Sequence, residues 1–224
     1  GGIGISRYAL DNLLYVKALE VGVQVLQVSV SAIAFENDRF EVVADDKKYR
    51  SRFILAAYGK RSGLDKNLDR PFFKNLSPWL AVKAHYMNPA FPQDLVALHN
   101  FRGGYCGLSK TESGAVNVCY LATYKSFKSY KNPAAFEQEI LQQNPFLKDF
   151  FREATSVFEQ RLSIGQVSFE RKERVKDHIL FIGDAAGLIH PLCGNGMAMA
   201  IKSAKTAADL ITEQSRPTME QRIR

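Results

Sequence analysis

Two short, continuously apolar runs end on glycine: FILAAYG, Phe53–Gly59, and HILFIG, His178–Gly183. A strand without polar alternation is buried on both faces, which is the habit of parallel sheets. In sheets of that kind ligands sit outside the carboxyl ends of the strands. Glycine at such an end, here Gly59 and Gly183, lets a ligand approach the backbone. The second run continues as GDAAGLIHPLCGNGMAMA, a loop with one His, one Pro and one Cys that restarts as a small-residue helix. A helix beginning at Gly194, Asn195 and Gly196 aims free N–H groups and its positive dipole end back at the loop. Asp184, just past the strand, suits hydrogen bonds to sugar hydroxyls; the plainer alternative is a turn or helix cap.

Elsewhere the chain reads as α/β, then antiparallel, then α/β again. Gly1–Ile5 reads as a short strand. Ser6 caps a helix whose apolar stripe is Leu10, Leu13, Leu14 and Ala18, and Gly22 ends it. Val23–Leu26 is a short β run; Val28–Phe35 and Phe40–Ala44 are strands joined at Asn37-Asp38. After about Leu68 the runs alternate: Trp79–Tyr86, Leu95–Phe101, and a hairpin turning at Glu112-Ser113-Gly114. Asn132-Pro133 opens one helix and Asn144-Pro145 breaks it. A second covers Phe146–Ala154. Leu162–Phe169 and His178–Ile182 are strands, and Gly196–Ile211 is the last clear helix.

The 224 residues are 46% hydrophobic and 24% charged, ordinary values for a globular chain. No apolar run reaches the ~18 residues of a transmembrane helix, and Gly1–Gly4 carries no charged leader. The net charge of +7 is spread as a solvated basic face, or serves attraction to anionic lipid or an acidic carrier protein. No basic-aromatic module of the nucleic-acid-binding kind is present. Cys106, Cys119 and Cys193 form no metal-type spacing, and their odd number suits a reducing cytoplasm; Cys106 and Cys119 read as packing residues. His190 and Cys193 lack further zinc ligands, so no metal is expected.

The Gly-Asp-Ala loop after DHILFI resembles the second FAD motif of FAD-dependent oxidoreductases with the para-hydroxybenzoate hydroxylase type of fold. That class includes flavin monooxygenases, geranylgeranyl reductases and flavin-dependent halogenases. GISRYALDNLLYVKALEVGVQV resembles the family's segment in which an Arg begins a helix leading to a strand beside the FAD adenine. ILAAYGKRS resembles its Ala-x-Gly-x-x-Ser strand end. The resemblance implies an α/β fold: a partial Rossmann-like FAD domain from residues 1–68 and 161–205, an inserted antiparallel substrate domain at 69–160, and a C-terminal helix and tail at 206–224.

By the same resemblance, Asp184 takes ribose or ribityl hydroxyls, Pro191 lies against the isoalloxazine, and Gly194, Asn195 and Gly196 offer N–H groups to its N1–C2=O edge. Arg7, Val25, Gly59 and Gly183 line the cofactor, and His190 and Cys193 are the catalytic candidates, although each also reads as a packed or solvent-facing residue. FAD is the implied cofactor and NAD(P)H the donor. The implied reaction is hydroxylation by a monooxygenase or C=C reduction. Its substrate is a hydrophobic aromatic, polyene or isoprenoid molecule, carrier- or membrane-associated, handled in the cytoplasm or peripherally at a membrane. The aromatic load of the insert (Phe72, Phe73, Trp79, Tyr86, Phe91, Phe101, Tyr105, Tyr120) fits an apolar pocket, or simply the core of its sheet. The family's G-x-G-x-x-G is absent, which implies an internal portion of a longer flavoprotein that alone binds FAD little or serves only as a binding module. No Trp-x-Trp-x-Ile-Pro signature is present, and Trp79 is the only Trp, which argues against the halogenase branch.

Overall fold

The computed structural model describes residues 4–130 and 132–214. In chain order its helices and strands are α1 (Arg7–Glu20), β1 (Val30–Glu36), β2 (Arg39–Ala44), β3 (Lys47–Ser51), β4 (Leu55–Ala56), α2 (Gly63–Asn67), β5 (Trp79–Met87), β6 (Val96–Phe101), β7 (Gly104–Lys110), β8 (Val116–Thr123), α3 (Tyr124–Phe127), α4 (Pro133–Glu139), α5 (Pro145–Glu153), β9 (Thr155–Ser156), β10 (Leu162–Ile164), β11 (Val175–Lys176), β12 (Ile179–Phe181) and α6 (Gly196–Gln214). They form two compact units, the first from residues 1–26 and 77–167, the second from 27–76 and 168–224.

The first unit is built on an antiparallel sheet of order β10-β5-β8-β7-β6, with β9 also pairing β5. Alternation sorts its residues as a half-buried sheet requires. Leu80, Val82, Ala84 and Tyr86 of β5 and Val116, Val118, Tyr120 and Ala122 of β8 face the core. There they meet Phe136, Leu141, Leu147 and Phe150 from α4, α5 and the turn between them. Phe136 is the hub: its ring lies 5.1–5.8 Å from those of Phe101, Tyr120, Phe127 and Tyr130. Asn132 and Asn144 cap the two helices through their side-chain oxygens, and Pro stands at the first turn of each, as the two Asn-Pro pairs predict.

The second unit holds a β1-β2-β3 antiparallel sheet and a three-stranded sheet of order β11-β12-β4. The two apolar runs do pair in parallel, Leu180 opposite Leu55 and Phe181 opposite Ala56. Their strands are shorter than the runs, and only Ala56, Ile179 and Phe181 among their residues are buried. Tight two-residue turns link β1 to β2, β2 to β3 and β11 to β12, with φ positive at Asn37-Asp38, Asp45-Asp46 and Asp177-His178. Asp and Asn tolerate that backbone region better than most residues.

Several expectations need correction. Val23–Leu26 forms no strand, because no neighbouring strand accepts its backbone groups. The predicted Gly1–Ile5 strand lies outside the described residues at positions 1–3, and residues 4–6 are not in a strand. Leu162–Phe169 is a strand only to Ile164; Gln166 takes a positive φ and breaks it. The α1 stripe is not a core face, since no residue of α1 is buried. Residues 1–26 cluster with 77–167 and not with the rest of 1–68. The tie is Glu112, which accepts from the Ser6 N–H (2.7 Å) and hydroxyl (2.6 Å), and those bonds hold its carboxyl below the usual carboxylate range. Phe72 and Phe73 belong to the second unit, so the antiparallel unit begins at Ser77 and not near residue 69. Helix α6 runs unbroken past residue 205 to Gln214, and the tail at 215–224 lies outside the described residues.

Candidate functional site

Past β12 the chain makes a single 3₁₀ turn, Gly183–Ala185, and a loop; a second 3₁₀ turn, Pro191–Cys193, then feeds α6. Gly183 has φ +58°, and its N–H donates to Ser203 Oγ on α6 (2.8 Å). A Cβ there would stand 3.3 Å from that of Ala200. The glycine thus admits the helix, and its N–H is already satisfied, so it is not a donor for a ligand. Gly194 closes the second 3₁₀ turn in the left-handed region, φ +64°, with nothing within 4 Å of a built Cβ. Gly59, at the end of the other parallel strand, has φ +86° and equally open surroundings.

Two buried cations hold this loop against the end of β4, and sequence reasoning missed both. Arg70 is fully buried. It donates to Asp65 Oδ1 (2.9 Å), to the carbonyls of Ala185 (3.0 Å) and Glu173 (2.8 Å), and to the Tyr58 hydroxyl (3.3 Å). Its guanidinium stands 3.7 Å from the Phe181 ring centroid. Asp65 in turn caps α2: its carboxylate accepts from the Ser62 N–H (2.7 Å) while the Ser62 side chain caps the helix start. Lys172 donates to the carbonyls of Lys60 (2.6 Å) and Asp184 (2.8 Å), bridging the loop after Gly59 to the Gly-Asp-Ala turn. Burial pulls its amine down to about 8. A long basic side chain outside the apolar strands carries no spacing that marks it as a core group, which is why neither was legible.

The carboxylate of Asp184 is half-buried and makes no hydrogen bond among the described residues. Pro191, Cys193, Gly194 and Asn195 are exposed, and Gly196 opens α6, whose first-turn N–H groups have no intrahelical acceptor. An open acceptor, free amides at a helix start and glycines with clear space fit the sugar hydroxyls and the electron-rich ring edge of a flavin nucleotide. His190 is otherwise engaged: its Nδ1 accepts from the Leu192 N–H (3.3 Å), and its ring stacks on Phe169 at 4.7 Å. Arg7 and Val25 fall in the first unit. Arg7 is exposed and paired with Asp11 at 3.1 Å, and Val25 is 43% exposed.

No family model matches the chain. It is 25% identical over 228 residues to 1H-pyrrole-2-carbonyl-[peptidyl-carrier protein] brominase of Pseudoalteromonas luteoviolacea, covering 93% of this chain and 55% of that protein. Among solved structures it superposes on the flavin-dependent halogenase CmlS with a TM-score of 0.76 at 19% identity, covering 98% of this chain and 42% of that one. It superposes on halogenase PltM in complex with phloroglucinol and FAD with a TM-score of 0.74 at 16% identity, covering 96% and 48%. The chain spans about half the length of these proteins. The missing Trp-x-Trp-x-Ile-Pro signature argues against halogenases, yet the likeness runs to them. One short strand motif does not decide a backbone topology, and Trp79 simply opens β5. The chain has the fold of the flavin-dependent halogenases.

Proposed function

We propose that the chain belongs to an FAD-dependent oxidoreductase of the halogenase and monooxygenase kind, acting on a small electron-rich aromatic molecule delivered on a carrier protein. The observation that carries this reading is the Gly183–Gly196 loop. It combines a carboxylate that makes no hydrogen bond among the described residues and an open helix start on a turn clamped by Arg70 and Lys172. The likeness to a brominase of a carrier-bound pyrrole supports the substrate class. The flavin would supply the redox chemistry, with electrons coming from NAD(P)H directly or through a separate reductase.

The residues of this chain bind and orient. Asp184 accepts from sugar hydroxyls, Pro191 stiffens the loop against the ring, and the amides of Asn195 and Gly196 favour negative charge at the ring edge; the expected Gly194 donor is not free, since its N–H donates to the Pro191 carbonyl (3.0 Å). Gly59 gives the cofactor clear backbone on the other strand end. His190 shapes the loop by capping it. Within the first unit, the sheet face opposite the core presents Trp79, Lys83, His85, Asn117 and Cys119, all half-buried. We place the substrate on that face. Burial keeps His85 below the ordinary histidine range, so near neutral pH its imidazole is uncharged. The thiol of Cys119 is pushed up by burial, which makes it packing surface and not a nucleophile.

Asp184→Ala in the intact protein should weaken FAD binding by about 1–3 kcal/mol, the cost of leaving a sugar hydroxyl unpaired. Flavin titration followed by fluorescence quenching reads it. Unchanged affinity would remove Asp184 from the site, and no saturable FAD binding by the unmutated protein would overturn the reading.

A further inference from the structure

We propose that the end of the first unit formed by the β6–β7 turn and α3 is the docking surface for an acidic carrier protein; this rests on the functional reading above. Sequence and fold together gather bases at this end. No Asp or Glu occurs between Asp94 and Glu112, nor between Glu112 and Glu137. The topology then gathers the bases of those stretches. The Thr123 N–H donates to the Gly103 carbonyl (3.0 Å) and Ser126 Oγ to that of Arg102 (3.1 Å). Gly103 sits so close to α3 that a Cβ there would stand 2.6 Å from that of Ser126. Arg102, Lys125 and Lys128 are all exposed, and none makes an ion pair among the described residues. Some exposed bases elsewhere are neutralised locally, as in Lys17–Glu20, Lys48–Glu41, Lys74–Asp69 and Lys205–Asp209.

An aromatic anchor packs on β6, the strand that leads into Arg102. Phe146, in the first turn of α5, is 68% exposed. It is held in place by stacking on His99 at 5.6 Å, and Asn144 before it donates to the Asn100 carbonyl (3.1 Å), two residues from Arg102. A fixed aromatic ring on the same unit as unpaired bases supplies the two components of a protein-binding patch, an apolar anchor and a charged rim.

A lipid surface is the poorer occupant. Each base near an anionic membrane contributes about 1 kcal/mol, and recognition takes clusters of about four to eight; three fall short. Helix α3 spans only four residues, too few to lie amphipathically in a headgroup layer. An acidic protein partner gains instead from meeting the ring and the bases together.

The test is the affinity of the intact protein, without added flavin, for a purified acidic peptidyl-carrier protein domain, by calorimetry at low and high salt. Arg102→Glu/Lys125→Glu/Lys128→Glu should weaken binding about tenfold or more at low salt and abolish most of its salt dependence. Phe146→Ala, which leaves the charge intact, should weaken it severalfold. The same charge change made elsewhere, Lys48→Glu/Lys74→Glu/Lys205→Glu, should have less than a twofold effect. Equal losses in the two triple variants would reduce the effect to net charge and overturn the proposal. So would an absence of carrier binding, or binding to phosphatidylserine vesicles through these residues in its place. Because the assay contains no flavin, a protein that docks the carrier yet binds no FAD would sink the flavin reading alone.

Discussion

Arg70→Met should destabilise the second unit by about 3–5 kcal/mol, the range for removing one partner of a buried ion pair. The side chain is fully buried and so is Asp65. Removing the guanidinium strands a carboxylate in the core and orphans the carbonyls of Ala185 and Glu173, each of which it now satisfies. The Phe181 ring also loses the cation at 3.7 Å. Asp65 keeps the Ser62 N–H and the Tyr58 hydroxyl (2.6 Å), which is why the loss stays within that range. Arg70→Met with Asp65→Leu should recover part of it, since the buried charge leaves with its partner, although the α2 cap is then missing. Urea unfolding of the three proteins measures this. A loss under about 1 kcal/mol in the single variant would mean that the loop does not depend on the clamp.

Arg161→Met should act on the first unit with similar size and with a distinctive pH dependence. Glu137 is buried, and Arg161 Nε reaches its two carboxylate oxygens at 2.9 and 2.8 Å. The hydroxyls of Tyr86 and Tyr120 lie at 3.4 Å, and burial pushes the Tyr86 phenol up to about 12. Burial also holds the Glu137 carboxyl above its usual 4.5, although Arg161 pulls the other way. An acid whose native pKa is raised keeps its proton in the folded state after the unfolded chain has lost it. Stability from this group is therefore full below pH 4.5 and falls as pH rises through the raised value. Without Arg161 the raised value climbs further, so the fall should extend to higher pH. The variant should be nearly as stable as the parent in acid and about 3–5 kcal/mol weaker at neutral pH. Denaturation series across pH decide it, and a pH-independent loss would show that the pair acts by packing alone.

The features that were legible in the sequence are those written in local chemistry. Asn-Pro pairs mark helix starts because Asn caps and Pro has no N–H to lose. The two apolar runs announce a parallel pair because nothing polar interrupts them, and alternation along Trp79–Tyr86 separates a core face from an open one. The failures have one physical source, which is that long-range partners leave no local mark. Val23–Leu26 has strand composition, but a strand needs a neighbour. Helix α1 has an apolar stripe, but the chain before it is anchored by the distant Glu112. Gly183 was expected to admit a ligand, and it admits helix α6, a contact invisible without Ala200 and Ser203 in space. Arg70 and Lys172 read as surface bases because their carbonyl partners are backbone atoms that any sequence possesses.

The central claim is that the Gly183–Gly196 loop faces the flavin. Hydrogen–deuterium exchange of the intact protein with and without bound FAD addresses it directly. Slower exchange at the amides of Asp184 and of Asn195–Met197 on flavin binding is the predicted result, with the Gly183 and Gly194 amides unchanged because Ser203 and the Pro191 carbonyl already hold them. Flavin binding that leaves Asn195–Met197 exchanging at the same rate would contradict the account and leave the loop as a plain connection between β12 and α6.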